Sequence, residues 1–289
     1  MKVGIIGKRN NTEVYSIVRG LVDWLEEKKV EYLVDSELGK NLKLNNTVKQ
    51  ADIPKHVELV IVFGGDGTFL SVSKQVNEYN IPILGINSGG LGFLTEFTLN
   101  ELYPIMEKII GDDYEIEERG MLSASVYKKN KKFGSYTVLN DLVINNGKVS
   151  RIIDLAIYAE GNLITTFKAD GIIFSTPTGS TAYSLSAGGP IVHPTLPVTL
   201  ITPICPHILT NRPLVVSNEM EITVKVLTVG SSYLTLDGQE TVKVELNDEI
   251  KLKKSDSTVK LIKSPFRDYF SILKTKLMWG ERYGRLNGS

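Results

Sequence analysis

Apolar residues recur along the first third of the chain in two alternating rhythms. Residues 3–6 form a short continuous apolar run, after which Val14, Ile17, Val18, Leu21, Val22 and Leu25 return at three- and four-residue spacing. That succession predicts a buried strand and then a helix with one apolar stripe. The pair repeats. Residues 57–63 are apolar except for Glu58, and Phe69, Val72, Val76 and Tyr79 then mark a helix of about three turns. Residues 81–86 predict a third strand, and Thr98 with Glu101 has the spacing of a capping box. It opens a helix whose face is Leu102, Ile105, Met106 and Ile109, with Pro104 early enough for its missing N–H to cost little. Strands alternating with helices predict an α/β domain built on a parallel sheet, Rossmann-like or flavodoxin-like.

From about residue 114 the helical stripes stop. β-branched runs follow one another between turn signals such as Asn145-Asn146-Gly147 and Glu160-Gly161-Asn162. Ile222, Val224 and Val226 alternate with polar residues, as do Val242, Val244 and Leu246, so these strands are expected to have one buried and one wet face. An all-β, sandwich-like domain is the simplest packing. Beyond residue 266, Tyr269, Ile272, Leu273, Lys276 and Leu277 suggest a last helix. The expected domains are therefore residues 1–113, completed by the tail 266–289, and residues 114–265.

The 289 residues are 42% hydrophobic, enough for two modest cores, and 33 basic residues balance 33 acidic ones. A neutral chain has no overall field to draw it to nucleic acid or to an anionic membrane, so a small-molecule partner is expected. One cysteine, Cys205, makes no internal disulfide, and no Cys/His ligand spacing occurs, which leaves no dedicated metal site to expect and fits a reducing cytoplasm. The apolar run at the N-terminus is too short for a signal-peptide core or a membrane span.

The most informative stretch is Gly64-Gly65-Asp66-Gly67-Thr68, which leaves a strand and enters a helix. Glycines let a backbone approach phosphate closely, and the helix start offers free N–H groups and a positive dipole end. The lysine and spacing of the usual ATP-binding P-loop are missing. The competing reading is a tight turn with Asp66 as a helix cap. A second glycine-rich stretch, residues 85–94, also follows a strand, where open α/β sheets place ligand crevices. Farther on, residues 170–190 combine Gly171, Gly179, Gly188 and Gly189 with hydroxyl residues from Ser175 to Ser186. They can follow a ligand closely and offer neutral hydrogen bonds, or form a plain hydroxyl-rich loop.

The first turn resembles the signature shared by NAD kinases, diacylglycerol and sphingosine kinases and, more distantly, 6-phosphofructokinases. Residues 170–190 are similar, almost residue for residue, to the long NAD kinase block. Asn140-Asp141, the turn at Arg151, residues 203–213, Leu236-Asp237-Gly238-Gln239 and Lys276-Leu277-Met278-Trp279-Gly280 follow in that family's order. Bacterial members usually carry Asn-Glu where this chain has Asn140-Asp141, a carboxylate one methylene shorter.

The resemblance implies an Mg-dependent phosphotransferase that moves the ATP γ-phosphoryl group to the adenosine-ribose 2′-hydroxyl of NAD, giving NADP. It implies Asp66 as catalytic base beside donor phosphates held by Gly64, Gly65, Gly67 and Thr68. It places NAD against Asp66, Gly67, Asn140, Asp141, Arg151, Lys168, Asp170, Thr181, Ala182, Tyr183, Ser184, Leu185, Ser186 and Gln239. Mg²⁺ is expected to arrive with ATP. The family's nucleotide site lies near subunit contacts, which implies a homodimer or homotetramer. A lipid kinase would share the first turn but needs an apolar acceptor pocket, and a non-catalytic NAD sensor would have no use for Asp66. A nicotinamide dehydrogenase would need a G-x-G-x-x-G after the first strand, which is absent.

Overall fold

The structure is a computed structural model that describes residues 1–7, 12–147, 152–208 and 210–278. The chain divides into two compact units, residues 1–118 with 260 onward, and residues 119–259.

The first unit opens with β1 (Lys2–Gly7), α1 (Thr12–Glu27), β2 (Glu31–Asp35), α2 (Ser36–Leu42) and β3 (Thr47–Val48). It continues with β4 (Leu59–Phe63), α3 (Asp66–Val76), β5 (Pro82–Asn87), β6 (Phe97–Thr98) and α4 (Leu102–Ile110). The pairings among β1 to β5 are parallel, in the order β3-β2-β1-β4-β5. Helices on both faces explain why β4 reads as an unbroken apolar run, since all five of its residues are buried. The α1 stripe of Val14, Val18, Leu21, Val22 and Leu25 is buried as spaced, and the capping box of Thr98 and Glu101 forms. Val57 lies ahead of the strand rather than in it, and Tyr79 is exposed. The helix has by then tightened into a single 3₁₀ turn, Asn77–Tyr79, which Asn80 ends in the left-handed conformation.

The second unit holds β7 (Ile116–Lys128), β8 (Lys131–Val138), β9 (Asp141–Asn145), β10 (Ile153–Ala159), β11 (Asn162–Ala169) and β12 (Gly171–Ser175). After the short α5 (Tyr183–Ser186) come β13 (Val198–Ile204), β14 (Leu214–Ser217), β15 (Ile222–Val226), β16 (Ser231–Leu236), β17 (Glu240–Glu245) and β18 (Glu249–Ile262). One sheet runs β14-β13-β12-β9-β16-β17, and β10, β11, β15 and β18 belong to the other. A single core, with Leu142, Ile144, Ile172, Phe174 and Leu234 from the first sheet against Leu155, Ile157, Val224 and Ile250 from the other, makes a sandwich. Leu246 falls beyond β17 and is exposed.

The chain returns to the first unit inside β18, where Lys260 and Leu261 pair parallel with Pro82 and Ile83 of β5. Asp268 then caps α6 (Tyr269–Leu277), its carboxylate accepting from Ser271 N at 2.8 Å. Arg267 fastens this return by donating to both carboxylate oxygens of Glu101 and to the Glu96 carbonyl. No helix among the described residues is long and apolar enough to cross a membrane.

Candidate functional site

In the first unit, β4 ends at Phe63 and α3 begins at Asp66, with Gly65 as an N-cap that makes no side-chain capping bond. Asp66 is thus the first helical residue and not the cap. Its carboxylate turns instead to the second glycine-rich stretch: Oδ2 accepts from Phe93 N at 2.9 Å. Oδ1 accepts from Leu94 N and Thr95 N, both at 3.1 Å, and from Thr95 Oγ1 at 3.0 Å. The sequence presents two separate glycine-rich turns, and the carboxylate of one is the clip that holds the other. Gly92 permits this approach, because a Cβ there would lie 2.1 Å from Asp66 Oδ1 and 2.3 Å from Thr95 Oγ1. Gly64 likewise leaves space for Thr68, whose Oγ1 would be 2.6 Å from an added Cβ. A Cβ at Gly67 would meet nothing within 4 Å, so internal packing does not call for glycine there. Gly67 is exposed at the first turn of an 11-residue helix, where the helix dipole favours an anion.

In the second unit, strand alternation builds a cavity. On β9, Leu142 and Ile144 face the sandwich core, so Asp141, Val143 and Asn145 face the opposite way. Thr235 of β16 pairs with Val143 on that outer face. With Asn140, Ala182, Tyr183, Asp237 and Gly238, these residues line a cavity of about 360 Å³. Its floor is tied down from two sides. The Asp237 carboxylate accepts from Leu139 N at 3.0 Å, Asn140 N at 2.8 Å and Asp141 N at 3.1 Å. From the other side, the turn after β12 grips the Asn140 carbonyl through Thr176 N at 2.9 Å and Ser175 Oγ at 3.2 Å. Burial pushes the Asp141 carboxyl up to about 7, the Asp237 charge adds to the shift, and a hydrogen bond from the Tyr183 amide opposes it.

The hydroxyl-rich block is largely turned inward. Thr176 Oγ1 donates to the Leu139 carbonyl at 2.6 Å, Ser180 Oγ to the Val192 carbonyl at 3.1 Å, and the Ser184 and Thr202 hydroxyls pair at 2.9 Å. Ser180 and Ser184 are fully buried. Their composition suggested ligand donors, and the structure uses them to fold the block against the sheet. Ser184 therefore holds the wall and does not present its hydroxyl to the cavity.

Of the residues expected to bind nucleotide, Asn140, Asp141, Ala182 and Tyr183 come together on the cavity. Thr181 and Leu185 are half-buried beside it in sequence, and Ser186 is exposed. Lys168 is exposed on β11, its ammonium 3.9 Å from Asp154, and Asp170 and Gln239 are exposed in turns. Arg151 lies outside the described residues. Val143, Asn145, Thr235, Asp237 and Gly238 line the cavity without having been expected to bind nucleotide. The signal for them was available in the two-residue period through Asp141 and the Asp-Gly turn closing β16.

The comparisons with known proteins match each unit. Residues 3–114 match the model of the ATP-NAD kinase N-terminal domain, and residues 139–264 match the ATP-NAD kinase C-terminal domain. The chain is 48% identical over 282 residues to a protein of Geotalea daltonii named NAD kinase, covering 97% of this chain and 99% of that one. A Geobacter metallireducens protein of the same name is 44% identical over the same span and coverage. Among solved structures, a yeast NADH kinase complexed with NADH superposes with a TM-score of 0.90 at 27% identity, covering 100% of this chain and 90% of its own. An NAD kinase from Archaeoglobus fulgidus in complex with ATP superposes at 0.78 and 26% identity, covering 96% and 99%. With both domain models matched in order and full-length relatives at this identity, the chain belongs to the NAD kinase family.

Proposed function

We propose that the chain transfers the γ-phosphoryl group of ATP to the 2′-hydroxyl of the adenosine ribose of NAD, giving NADP. The observation that carries this reading is the single cavity on which Asn140, Asp141, Ala182 and Tyr183 converge, walled by the long block. Its lining of Asn140, Asp141, Asn145, Thr235 and Asp237 offers hydrogen bonds to a nucleotide, beside Val143, Ala182 and Tyr183, which a base or ribose can pack against. The yeast and archaeal neighbours, solved with NADH and with ATP, support the same pair of substrates.

Phosphoryl transfer asks a protein for positioning and for neutralised phosphate charge. The amides and dipole at the start of α3, reached across Gly64, Gly65, Gly67 and Thr68, hold the donor phosphates in this reading. Asp66 takes the hydroxyl proton as the new bond forms. Its Oδ1 accepts three bonds and its Oδ2 one, so Oδ2 is the oxygen with capacity left to serve as base. Mg²⁺ would arrive with ATP, held largely by the phosphates and by water. That ion supplies charge neutralisation at the phosphates.

Radiolabelled ATP, Mg²⁺ and either NAD or diacylglycerol, followed by separation of products, tests the assignment. Label should appear in NADP alone and disappear when the metal is chelated. Tight NAD binding with no NADP at any enzyme concentration would make the protein a sensor and end the proposal.

Tyr183 is 45% exposed, and it reaches Asp141 through its amide rather than its ring. Tyr183→Ala should therefore raise the Michaelis constant for NAD while leaving the melting temperature nearly unchanged, since the ring is free to pack on the nucleotide. A core tyrosine would instead cost about 3 kcal/mol or more of stability, seen as a large drop in melting temperature with normal affinity.

Self-association into a dimer or tetramer belongs to the same reading. β14 closes one edge of its sheet and carries Leu214 and Val215 exposed, an edge that a second copy would protect. Light scattering on fully active protein at micromolar concentration should give a multiple of 32.0 kDa; a monomer mass contradicts it. ATP and NAD supply, with Cys205 exposed and free, fits work in the cytoplasm.

A further inference from the structure

Two carboxyl groups, Asp141 and Asp237, share the cavity of the second unit, and no cationic side chain among the described residues lines it. Both are nearly buried, at 5% and 7% exposure. Two carboxylates confined together away from water do not both stay ionised at low cost, so the hydrogen bonds around them decide which keeps the charge. Asp237 has three successive backbone amides, those of Leu139, Asn140 and Asp141, aimed at its two oxygens. The amide of Asp237 in turn donates to the Asp141 carbonyl at 2.9 Å, closing a mutual clasp between the start of β9 and the end of β16. The Asp141 carboxyl receives the single amide of Tyr183. The charge therefore settles on Asp237 and the proton on Asp141.

We propose that Asp237 is a positioning residue for the nucleotide cavity, clamping the Asn140-Asp141 backbone so that Asp141 meets NAD as a hydrogen-bond donor. The proposal rests on the reading of this cavity as the NAD site. A neutral Asp141 offers an O–H to an acceptor atom of the nucleotide, which an ionised carboxylate cannot do. It also lets the dinucleotide, with its negative pyrophosphate, enter without meeting two negative charges. The elements around Asp141 are β9 itself, β12 with uncharged Ser175 opposite, β16 with Thr235, the turn with Asp237 and Gly238, and Ala182-Tyr183. Of these, Asp237 and the Tyr183 phenol are the titratable groups that face it.

The Asp141 carboxyl, raised to about 7, is mostly protonated at pH 6 and mostly ionised at pH 8. If only the protonated form binds well, NAD affinity falls about tenfold across that interval. Calorimetric titration of the full-length protein with NAD at pH 6, 7 and 8, in buffers of different ionisation enthalpy, reads both affinity and proton uptake. Wild type is expected to lose affinity toward pH 8 and to take up a proton on binding there. Asp141→Asn, whose amide donates at every pH, should bind with a flat profile and no proton uptake. Asp237→Asn should bind more weakly at pH 6 and shift the midpoint downward. A wild-type midpoint retained in that variant would mean that the Asp237 charge does not keep the proton on Asp141, and it overturns the proposal. Should Asp237→Asn not fold, the comparison of wild type with Asp141→Asn decides alone. Wild type that binds NAD equally well at pH 6 and 8 overturns the proposal and leaves the NAD reading standing. Wild type that binds no NAD at any pH overturns both.

Discussion

Asp66→Asn is expected to lower kcat by about 10²- to 10⁴-fold, the usual worth of a general base, while NAD affinity stays within a few fold. The four hydrogen bonds on the carboxylate make this variant more informative than a plain loss of charge. Asparagine can keep its carbonyl where Oδ1 sits, retaining the bonds from Leu94 N, Thr95 N and Thr95 Oγ1. Its amide then takes the place of Oδ2, facing Phe93 N with a donor where an acceptor stood. That mismatch costs about 1–3 kcal/mol, a fraction of a typical folding free energy for a chain of this size. The helix start does not depend on the side chain, because Gly65 is the N-cap. The protein should remain folded, and what vanishes is the one oxygen with capacity to accept the proton. Steady-state kcat at saturating ATP, Mg²⁺ and NAD, read beside the melting temperature, separates the two roles. A kcat within about threefold of wild type, far below the range for a lost base, would reduce Asp66 to a clip between two loops.

The periodic parts of the chain announced themselves. The α1 stripe, the run in β4, the capping box before α4 and the alternation in β15 all follow from burial on one face or on both. Residues 31–56 were harder, because β2, α2 and β3 are too short to show a period, and α2 is started by a cap that pattern does not reveal, Asp35 to Leu38 N. The site was legible where chemistry and position coincide. Gly64 to Thr68 marks a strand-to-helix turn in either language. What composition could not tell is the direction in which a hydroxyl points. Ser180 and Ser184 read as ligand donors along the chain, yet sit in the interior bonded to Val192 and Thr202. Asp237 stood in a motif of the family, but its role was not legible, for the converse reason. Its partners are backbone amides about a hundred residues earlier, and no local pattern encodes a contact of that separation.

Gly179→Ala is expected to damage both stability and NAD binding, and the damage should come from backbone meeting backbone. A Cβ at this position would lie 2.2 Å from the Asn140 carbonyl oxygen, 2.5 Å from its carbon and 2.7 Å from its Cα. No flexible side-chain end is available to move aside. Relief requires the turn after β12 to draw back from Asn140, which breaks the Thr176 N to Asn140 bond at 2.9 Å and strains the Gly179 N to Thr176 Oγ1 bond at 3.1 Å. Overpacking of this kind costs about 1–3 kcal/mol, and for a protein this large each kcal/mol lowers the melting temperature by about 2–4 °C. The same displacement moves Asn140 and Asp141, which form the cavity floor, so the Michaelis constant for NAD should rise about tenfold or more, the equivalent of one lost hydrogen bond. Gly120→Ala is the control in the same unit. A Cβ there meets nothing within 4 Å, so its stability should stay within about 0.5 kcal/mol of wild type. If Gly179→Ala matched that control in both melting temperature and Michaelis constant, the close packing of the turn on Asn140 would not be what shapes the cavity.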